Sequence, residues 1–300
     1  MKILVTGGRG FIGSHFVEQA LKLKWKIIDI DKLGYASNQT LPWDNHKDYT
    51  FIKEDICNLT HLPNCDVVIN FAAESHVDNS IRSSKEFFES NVRGVHNLLE
   101  LIRGKPTYDR PLFIQISTDE VYGDIVSGKF TEQDKLRPSN PYSATKAAAE
   151  MLVLAYHRTF GLDYLITRSS NNYGPRQFEE KLIARCLSSI KDEQQIPIHG
   201  DGSYVRDWTF VQDNVQALIF LIKKKIKNDI FNIAAENYLT NLEVVDIVLD
   251  WHDIKDEDKP KYKKFVENRW GQDLRYAVSA DKLKKLGWEP KYTKGLYKWM

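Results

Sequence analysis

What this chain has little of narrows its identity first. Cysteine is scarce: Cys57, Cys65 and Cys186 form an odd, scattered set without metal-like spacing, so neither a disulfide framework nor a zinc site is indicated. No bound metal is expected. Neither charge is in excess, since 42 Lys plus Arg against 41 Asp plus Glu leave a net +1. A nucleic-acid binder usually carries a basic surplus, so the balance favours a small-molecule partner. Long apolar runs are missing too, none approaching the roughly 18 residues of a membrane span. The N-terminus enters a strand pattern at once, Ile3-Leu4-Val5, and reaches glycines before a signal-peptide core could form. A soluble cytoplasmic protein with no membrane or nucleic-acid partner is the expectation. Repeats and low-complexity tracts are absent as well.

What is there suffices for a large core. The chain has 300 residues, 42% of them apolar, a length that favours one large α/β domain with a smaller appendage. Residues 2–6, 26–30, 67–71, 112–117 and 163–168 read as strands, and 11–23, 87–102 and 142–160 as helices. This alternation predicts a Rossmann-like, doubly wound parallel sheet covered on both faces. After about residue 171 turns and short mixed elements take over, and a smaller C-terminal α/β substrate-binding region is predicted. The division is 1–170 for a dinucleotide and 171–300 mainly for substrate, with 214–222 and 230–233 able to return to the main sheet. The charge-rich stretch 255–264 reads as a solvated loop, and the lysines of 223–227 as a solvated helix end.

The first strand runs into Gly7-Gly8-Arg9-Gly10-Phe11-Ile12-Gly13, which opens the first helix. Gly8, Gly10 and Gly13 give G-x-G-x-x-G, and Gly7, Gly10 and Gly13 give the looser G-x-x-G-x-x-G. A dinucleotide pyrophosphate needs such a tight turn and bare backbone to rest on a helix N-terminus. An acid at the end of the second strand, about 20 residues on, completes the fingerprint. Asp29 and Asp31 share a strand face, and Asp31 is nearer the ligand-binding end, so Asp31 is assigned to the adenosine ribose, which favours NAD. Arg9 and Lys32 would suit a 2′-phosphate, the NADP alternative.

Tyr142-Ser143-Ala144-Thr145-Lys146 places a phenol and an ammonium four residues apart on one helix face. The cation would lower the tyrosine pKa, so that the phenolate takes a proton from a hydroxyl as hydride leaves the same carbon. Together with the glycine fingerprint and the strand ending Ile116-Ser117-Thr118, the pair resembles the extended short-chain dehydrogenases/reductases. The run Ser117-Thr118-Asp119-Glu120-Val121-Tyr122-Gly123 is similar to the dTDP-glucose 4,6-dehydratase family within them, with UDP-glucose 4,6-dehydratases a close second. Ala72-Ala73-Glu74-Ser75-His76-Val77-Asp78, Ser170-Asn171-Asn172-Tyr173-Gly174-Pro175, Glu180-Lys181-Leu182-Ile183 and Val205-Arg206-Asp207-Trp208 carry the same resemblance, which spans nearly the whole chain.

That resemblance implies a redox-neutral cycle with a tightly bound, recycled NAD. C4 of a nucleoside-diphosphate hexose is oxidised with Tyr142, Lys146 and Thr118. Glu120 removes the C5 proton, Asp119 protonates the departing C6 hydroxyl, and hydride returns to C6 while a proton returns to C5. Opposite tasks require opposite protonation states, and so a turn rather than a regular strand for the two acids. It further implies cofactor contacts at Gly7, Gly10, Phe11, Ile12, Gly13, Asp31, Lys32, Leu33, Asp55, Ile56, Phe71, Ala72, Ala73, Ser75, Ser90 and Asn172. Substrate contacts carry over to Ser75, Asn171, Lys181, Leu182, Pro197, Ile198, His199, Arg206, Asn241, Arg269 and Asp273. Gly34 and Gln272 depart from the threonine and histidine of the family, and the chain ends at Met300 where the family usually continues its last helix. A homodimer through 87–102 and 142–160 is also implied. A sugar-nucleotide 4-epimerase is the runner-up, against which the Asp-Glu pair speaks. A non-catalytic NAD-binding protein is the other alternative, for which Tyr142 or Lys146 should have been lost.

Overall fold

The computed structural model describes all 300 residues. Its strands are β1 Lys2–Thr6, β2 Lys26–Asp31, β3 Tyr49–Lys53, β4 Val67–Asn70, β5 Leu112–Thr118, β6 Tyr164–Ser169, β7 Asn171–Tyr173, β8 Ile196–His199, β9 Val205–Phe210, β10 Asp229–Ile233, β11 Tyr238–Thr240 and β12 Lys263–Val266. The helices are α1 Phe11–Lys22, α2 Val77–Arg82, α3 Lys85–Phe88, α4 Gly94–Arg103, α5 Pro141–Phe160, α6 Leu182–Lys191, α7 Val211–Lys223, α8 Asn241–Trp251, α9 Lys259–Tyr262 and α10 Asp281–Lys285.

Seven strands make one sheet in the order β10-β6-β5-β4-β1-β2-β3, every pair parallel. The chain winds outward in both directions from β1, so the crevice between β1 and β4 is a topological switch point, where ligands sit in such sheets. Alternation along the strands feeds the two faces. Ile3 and Val5 join one core cluster with Phe16 and Val17 of α1 and Val215 and Leu218 of α7. Leu4 joins the other with Leu98 and Leu99 of α4 and Ala149 and Val153 of α5. The first cluster continues into Ile183 and Cys186 of α6 and Val244 and Val248 of α8, which carry the small sheets β11-β9-β7 and β12-β8.

Three local readings need correction. Tyr49–Lys53 is a strand, β3, at the sheet edge; its mixed polarity hid it, because an edge strand keeps exposed residues such as Thr50 and Lys53. The predicted helix over 87–102 starts at Lys85 and carries a π-helical turn, Glu89–Arg93, between α3 and α4. The stretch 255–264 contains α9 and the start of β12, and is anchored by charge: buried Lys259 pairs with Asp250 at 2.6 Å and Asp256 at 2.7 Å. At 223–227, α7 does end in exposed lysines.

Candidate active site

The glycine turn is shaped for a phosphate group. Gly7 lies in the left-handed region at φ 71°, and a Cβ there would sit 2.5 Å from Ala72 N; at Gly13 a Cβ would meet Gly7 O at 2.2 Å. Gly10 begins α1 with no side-chain cap, and no acid stands in the first turn, so Phe11, Ile12 and Gly13 open the helix with bare backbone. Nothing in that cradle competes with an incoming anion. Of the other expected cofactor contacts, Phe71, Ala72, Ala73 and Ser75 follow β4, Asp55 and Ile56 follow β3, Ser90 lies in the π-helical turn and Asn172 on β7, and the backbone of Phe71 and Ala72 lies against Gly7. The Asp55 carboxylate accepts from Cys57 N at 2.8 Å, and Asn172 Oδ1 from Asn214 Nδ2 at 2.9 Å.

The two acids of β2 divide their work. Asp29 is fully buried, accepts from Gly8 N at 3.0 Å and Tyr49 Oη at 2.7 Å, and is pushed up to about 7 by burial and by neighbouring Asp31. It supports the glycine turn from below. Asp31 stands at the strand end, accepting from Arg9 N at 3.1 Å, Leu33 N at 2.8 Å and Ser37 Oγ at 3.1 Å. The Arg9 guanidinium is spent on Asp44 and on the carbonyls of Asn38 and Gln39, stacked over Phe51 at 4.1 Å, while Lys32 pairs with Glu74 at 2.8 Å. Both cations that would suit a 2′-phosphate are therefore committed to acids or carbonyls.

The chemistry-bearing groups collect where β5 ends and α5 begins. Thr118 closes β5, and Asp119–Tyr122 form a 310 turn whose Glu120 N donates to Thr118 Oγ1 at 3.3 Å. Asp119 is 2% exposed, its Oδ1 3.3 Å from Thr118 Oγ1 and its Oδ2 without a partner. Burial, then Glu120 and Asp207, raise its pKa well above the carboxylate range. Glu120 is half-buried, and its Oε2 accepts from Asn140 Nδ2 at 3.4 Å. The neighbouring carboxyls thus occupy different environments.

Helix α5 is started by Asn140 as N-cap with Pro141 at its first position, in a capping box with Ser143. It presents Tyr142 and Lys146 one turn apart, both buried. The expected lowering of the phenol pKa is not what the structure holds. Burial and Glu120 raise Tyr142, Lys146 donates to Ile116 O at 2.6 Å, and burial brings the ammonium down to about 8. A closed apolar setting penalises the phenolate more than the nearby ammonium offsets.

A family model described as GDP-mannose 4,6 dehydratase matches residues 4–295. The chain belongs to this 4,6-dehydratase family. The low-salt glycan biosynthesis protein Agl12 of Haloferax volcanii is 43% identical over 98% of this chain and 94% of its own. A dTDP-glucose 4,6-dehydratase of Xanthomonas campestris is 42% identical over 97% of this chain and 89% of its own. Among solved structures, the dTDP-glucose 4,6-dehydratase DesIV of Streptomyces venezuelae, with NAD and TYD bound, superposes at TM-score 0.92 with 38% identity, covering 97% and 92% of the two chains. A UDP-glucuronic acid 4-epimerase of Bacillus cereus shares the fold at TM-score 0.90 but only 27% identity, covering 97% and 95%.

In this 4,6-dehydratase family member the predicted substrate residues come from many elements. Asn171 lies on β7, Leu182 opens α6, and Asn241 opens α8. Lys181 Nζ donates to Ser75 O at 2.8 Å, and burial lowers its pKa. Arg269 pairs with Asp78 at 3.2 Å and donates to Gln272 Oε1 at 2.7 Å. Asp273 accepts from Ser139 Oγ at 2.7 Å and Tyr276 Oη at 2.5 Å. Pro197, Ile198 and His199 form β8, but the Ile198 side chain is buried in the core, leaving only its backbone for a ligand. Arg206 is 4% exposed and donates to the carbonyls of Val205, Leu274 and Asp273 from above the Tyr276 ring, so its guanidinium ties β9 to the 273–276 segment. Sequence reasoning missed Asn140, whose signal was present: an Asn-Pro pair with serine three residues on, at the start of an apolar-periodic run.

Proposed function

We propose that the chain dehydrates a nucleoside-diphosphate hexose, dTDP-glucose or its uridine counterpart, to the 4-keto-6-deoxy sugar nucleotide with NAD as a recycled cofactor. One observation carries this reading: two adjacent carboxyls in different settings, Asp119 buried with its pKa raised well above the carboxylate range, Glu120 half-buried and accepting from Asn140. An acid and a base side by side suit elimination of water across C5 and C6, and an epimerase has no step that needs them. Family membership, and the lower identity to the epimerase of the same fold, support it.

The glycine cradle and Asp31 fit NAD, and the buried Arg9 guanidinium, the cation nearest the turn, is taken up by Asp44 and backbone carbonyls rather than left for a 2′-phosphate. When bound, NAD would supply the hydride acceptor and donor and a positive charge which, with that of Lys146, would offset the burial that raises Tyr142. Tyr142 takes the C4 hydroxyl proton, Thr118 hydrogen-bonds that oxygen, and Lys146 supplies positive charge one turn away. Glu120 takes the C5 proton from the carbon next to the new ketone. Asp119, its pKa raised by burial, gives its proton to the C6 hydroxyl as it leaves as water, and a proton returns to C5 as hydride returns to C6. Lys181, Arg206 and Arg269 serve the diphosphate, arginine by its two-pronged donation. In this division residues 1–170 hold the dinucleotide and 171–300 mainly the sugar nucleotide. Cytoplasmic location and a homodimer through α4 and α5 belong to the same reading; Phe88, Met151 and Phe160 leave apolar area exposed along that helix layer.

The test is Asp119→Asn beside Glu120→Gln in a single turnover with dTDP-glucose. Each should oxidise C4, seen as reduced-nicotinamide absorbance, and form 4-keto-6-deoxy product roughly 10²–10⁴-fold more slowly than wild type. Wild-type dehydration by both variants would hand the lead to the epimerase reading.

A further inference from the structure

The acid turn and the catalytic helix meet at one side chain. Asn140 is 7% exposed; its Oδ1 accepts from Ser143 N at 2.9 Å, and Ser143 Oγ accepts from Asn140 N at 3.2 Å. This reciprocal pair fixes the amide orientation, because a flipped amide would set its own N–H against that of Ser143. Nδ2 is thereby turned away from α5 and lies 3.4 Å from Glu120 Oε2. A bond of that length gives direction more than energy.

Other polar groups around Glu120 are committed elsewhere. Lys181 donates to Ser75 O and Tyr276 to Asp273, so Asn140 is the one side chain that donates to the Glu120 carboxylate. The segment carrying Asn140 is braced in turn. Ser139 Oγ is bonded to Asp273, and Gly271 packs so closely that a Cβ on it would lie 2.9 Å from Ser139 O. A carboxylate on a short 310 turn has free side-chain torsions unless a donor fixes them, and proton abstraction needs the base within hydrogen-bond reach of its target.

We propose that Asn140 is a positioning residue for the C5 proton transfer, its amide oxygen starting the helix that carries Tyr142 while its amide nitrogen aims Glu120 into the cleft. This rests on Glu120 being the C5 base. One side chain then sets the spacing between the group that serves the oxidation and the group that serves the elimination.

Two variants separate aiming from capping. Asn140→Ser keeps a cap acceptor for Ser143 N but is too short to reach Glu120, and Asn140→Asp keeps cap and size but turns an oxygen toward Glu120. Each is assayed with dTDP-glucose and with dTDP-glucose deuterated at C5, with thermal unfolding alongside. Expected are a wild-type unfolding midpoint, reduced nicotinamide forming at near wild-type rate, product slowed roughly tenfold or more, and a C5-deuterium isotope effect on kcat larger than wild type. Product at wild-type rate in both variants overturns the proposal. Equal slowing of oxidation and elimination with an unchanged isotope effect also overturns it, since that is what loss of a helix cap alone produces. Glu120→Gln is run beside them; if it retains wild-type product formation, the base assignment fails, whatever the Asn140 variants do.

Discussion

Where the parallel sheet opens toward the dinucleotide, the groups on offer are mostly backbone, gathered within seven residues from Gly7 to Gly13 and steadied from below by Asp29. The groups proposed for the sugar nucleotide are side chains brought from far apart in the chain, Lys181, Arg206, Arg269 and Asp273, each held by a protein partner. A backbone site is fixed as soon as its turn forms. A side-chain site is only as precise as the packing of the elements that deliver it. The groups proposed as catalytic sit on the seam, at the end of β5 and the start of α5.

The largest effect is expected at that seam. Tyr142→Phe should lower kcat by roughly 10²–10⁴-fold while NAD content on purification stays at the wild-type level, because the cradle does not depend on the phenol. Near wild-type turnover would remove Tyr142 from the oxidation. Next comes the tie beneath α5. Glu150 and Arg168, 0% and 3% exposed, form a buried pair with bonds of 2.6–3.1 Å, and Arg168 also donates to Tyr122 Oη at 2.6 Å. Glu150→Gln leaves a buried guanidinium without its counter-charge and should cost about 3–5 kcal/mol in denaturant unfolding. A loss below about 1 kcal/mol would mean that apolar packing alone seats the helix.

A smaller effect should follow acidification. His15 of α1 is 1% exposed; Nε2 donates to Pro175 O at 2.8 Å while Nδ1 accepts from Arg176 and Gln212, which joins the dinucleotide helix to the loop leading into α6. Burial, with the Arg176 charge beside it, lowers its pKa from 6.5 to about 4. Between those values the unfolded chain binds more protons, so this contribution is complete above pH 6.5 and is lost as pH falls toward 4. The loss should be on the order of 3 kcal/mol, and a His15→Gln variant should lack that slope in unfolding measured against pH. The smallest effect belongs to the side-chain half: Arg269→Ala should raise KM for the sugar nucleotide roughly tenfold with kcat little changed. A fall in kcat instead would place Arg269 at the reacting carbons.

Much of this was legible in the residues. Short apolar runs marked five strands of the main sheet and left 230–233 able to return to it, as β10 does, because a parallel strand buried on both faces must be apolar throughout. Edge strand β3 escaped because one of its sides faces solvent. The acid turn could be foreseen, since two neighbouring carboxyls with opposite tasks cannot both point into the cleft from a regular strand. Which residues of 171–300 would converge could be named only through resemblance, because no local spacing relates Lys181 to Arg269.

By itself, then, the sequence determined the βαβ order, the glycine turn with Asp31 at its rim, and the Tyr142–Lys146 spacing, all consequences of period, φ preference and short-range contact. Only the tertiary structure decided that Asp29 supports the turn, that Arg9 and Lys32 are already paired, and that Asn140 reaches Glu120. It also decided the raised pKa of Asp119. A carboxyl's pKa depends on what surrounds it, and Asp119 is surrounded by β9 as well as by its own turn: burial, Glu120 and Asp207 push it up, while Arg206 draws it down. Asp207 and Arg206 lie about 90 residues away along the chain, and only the packed fold brings them to Asp119.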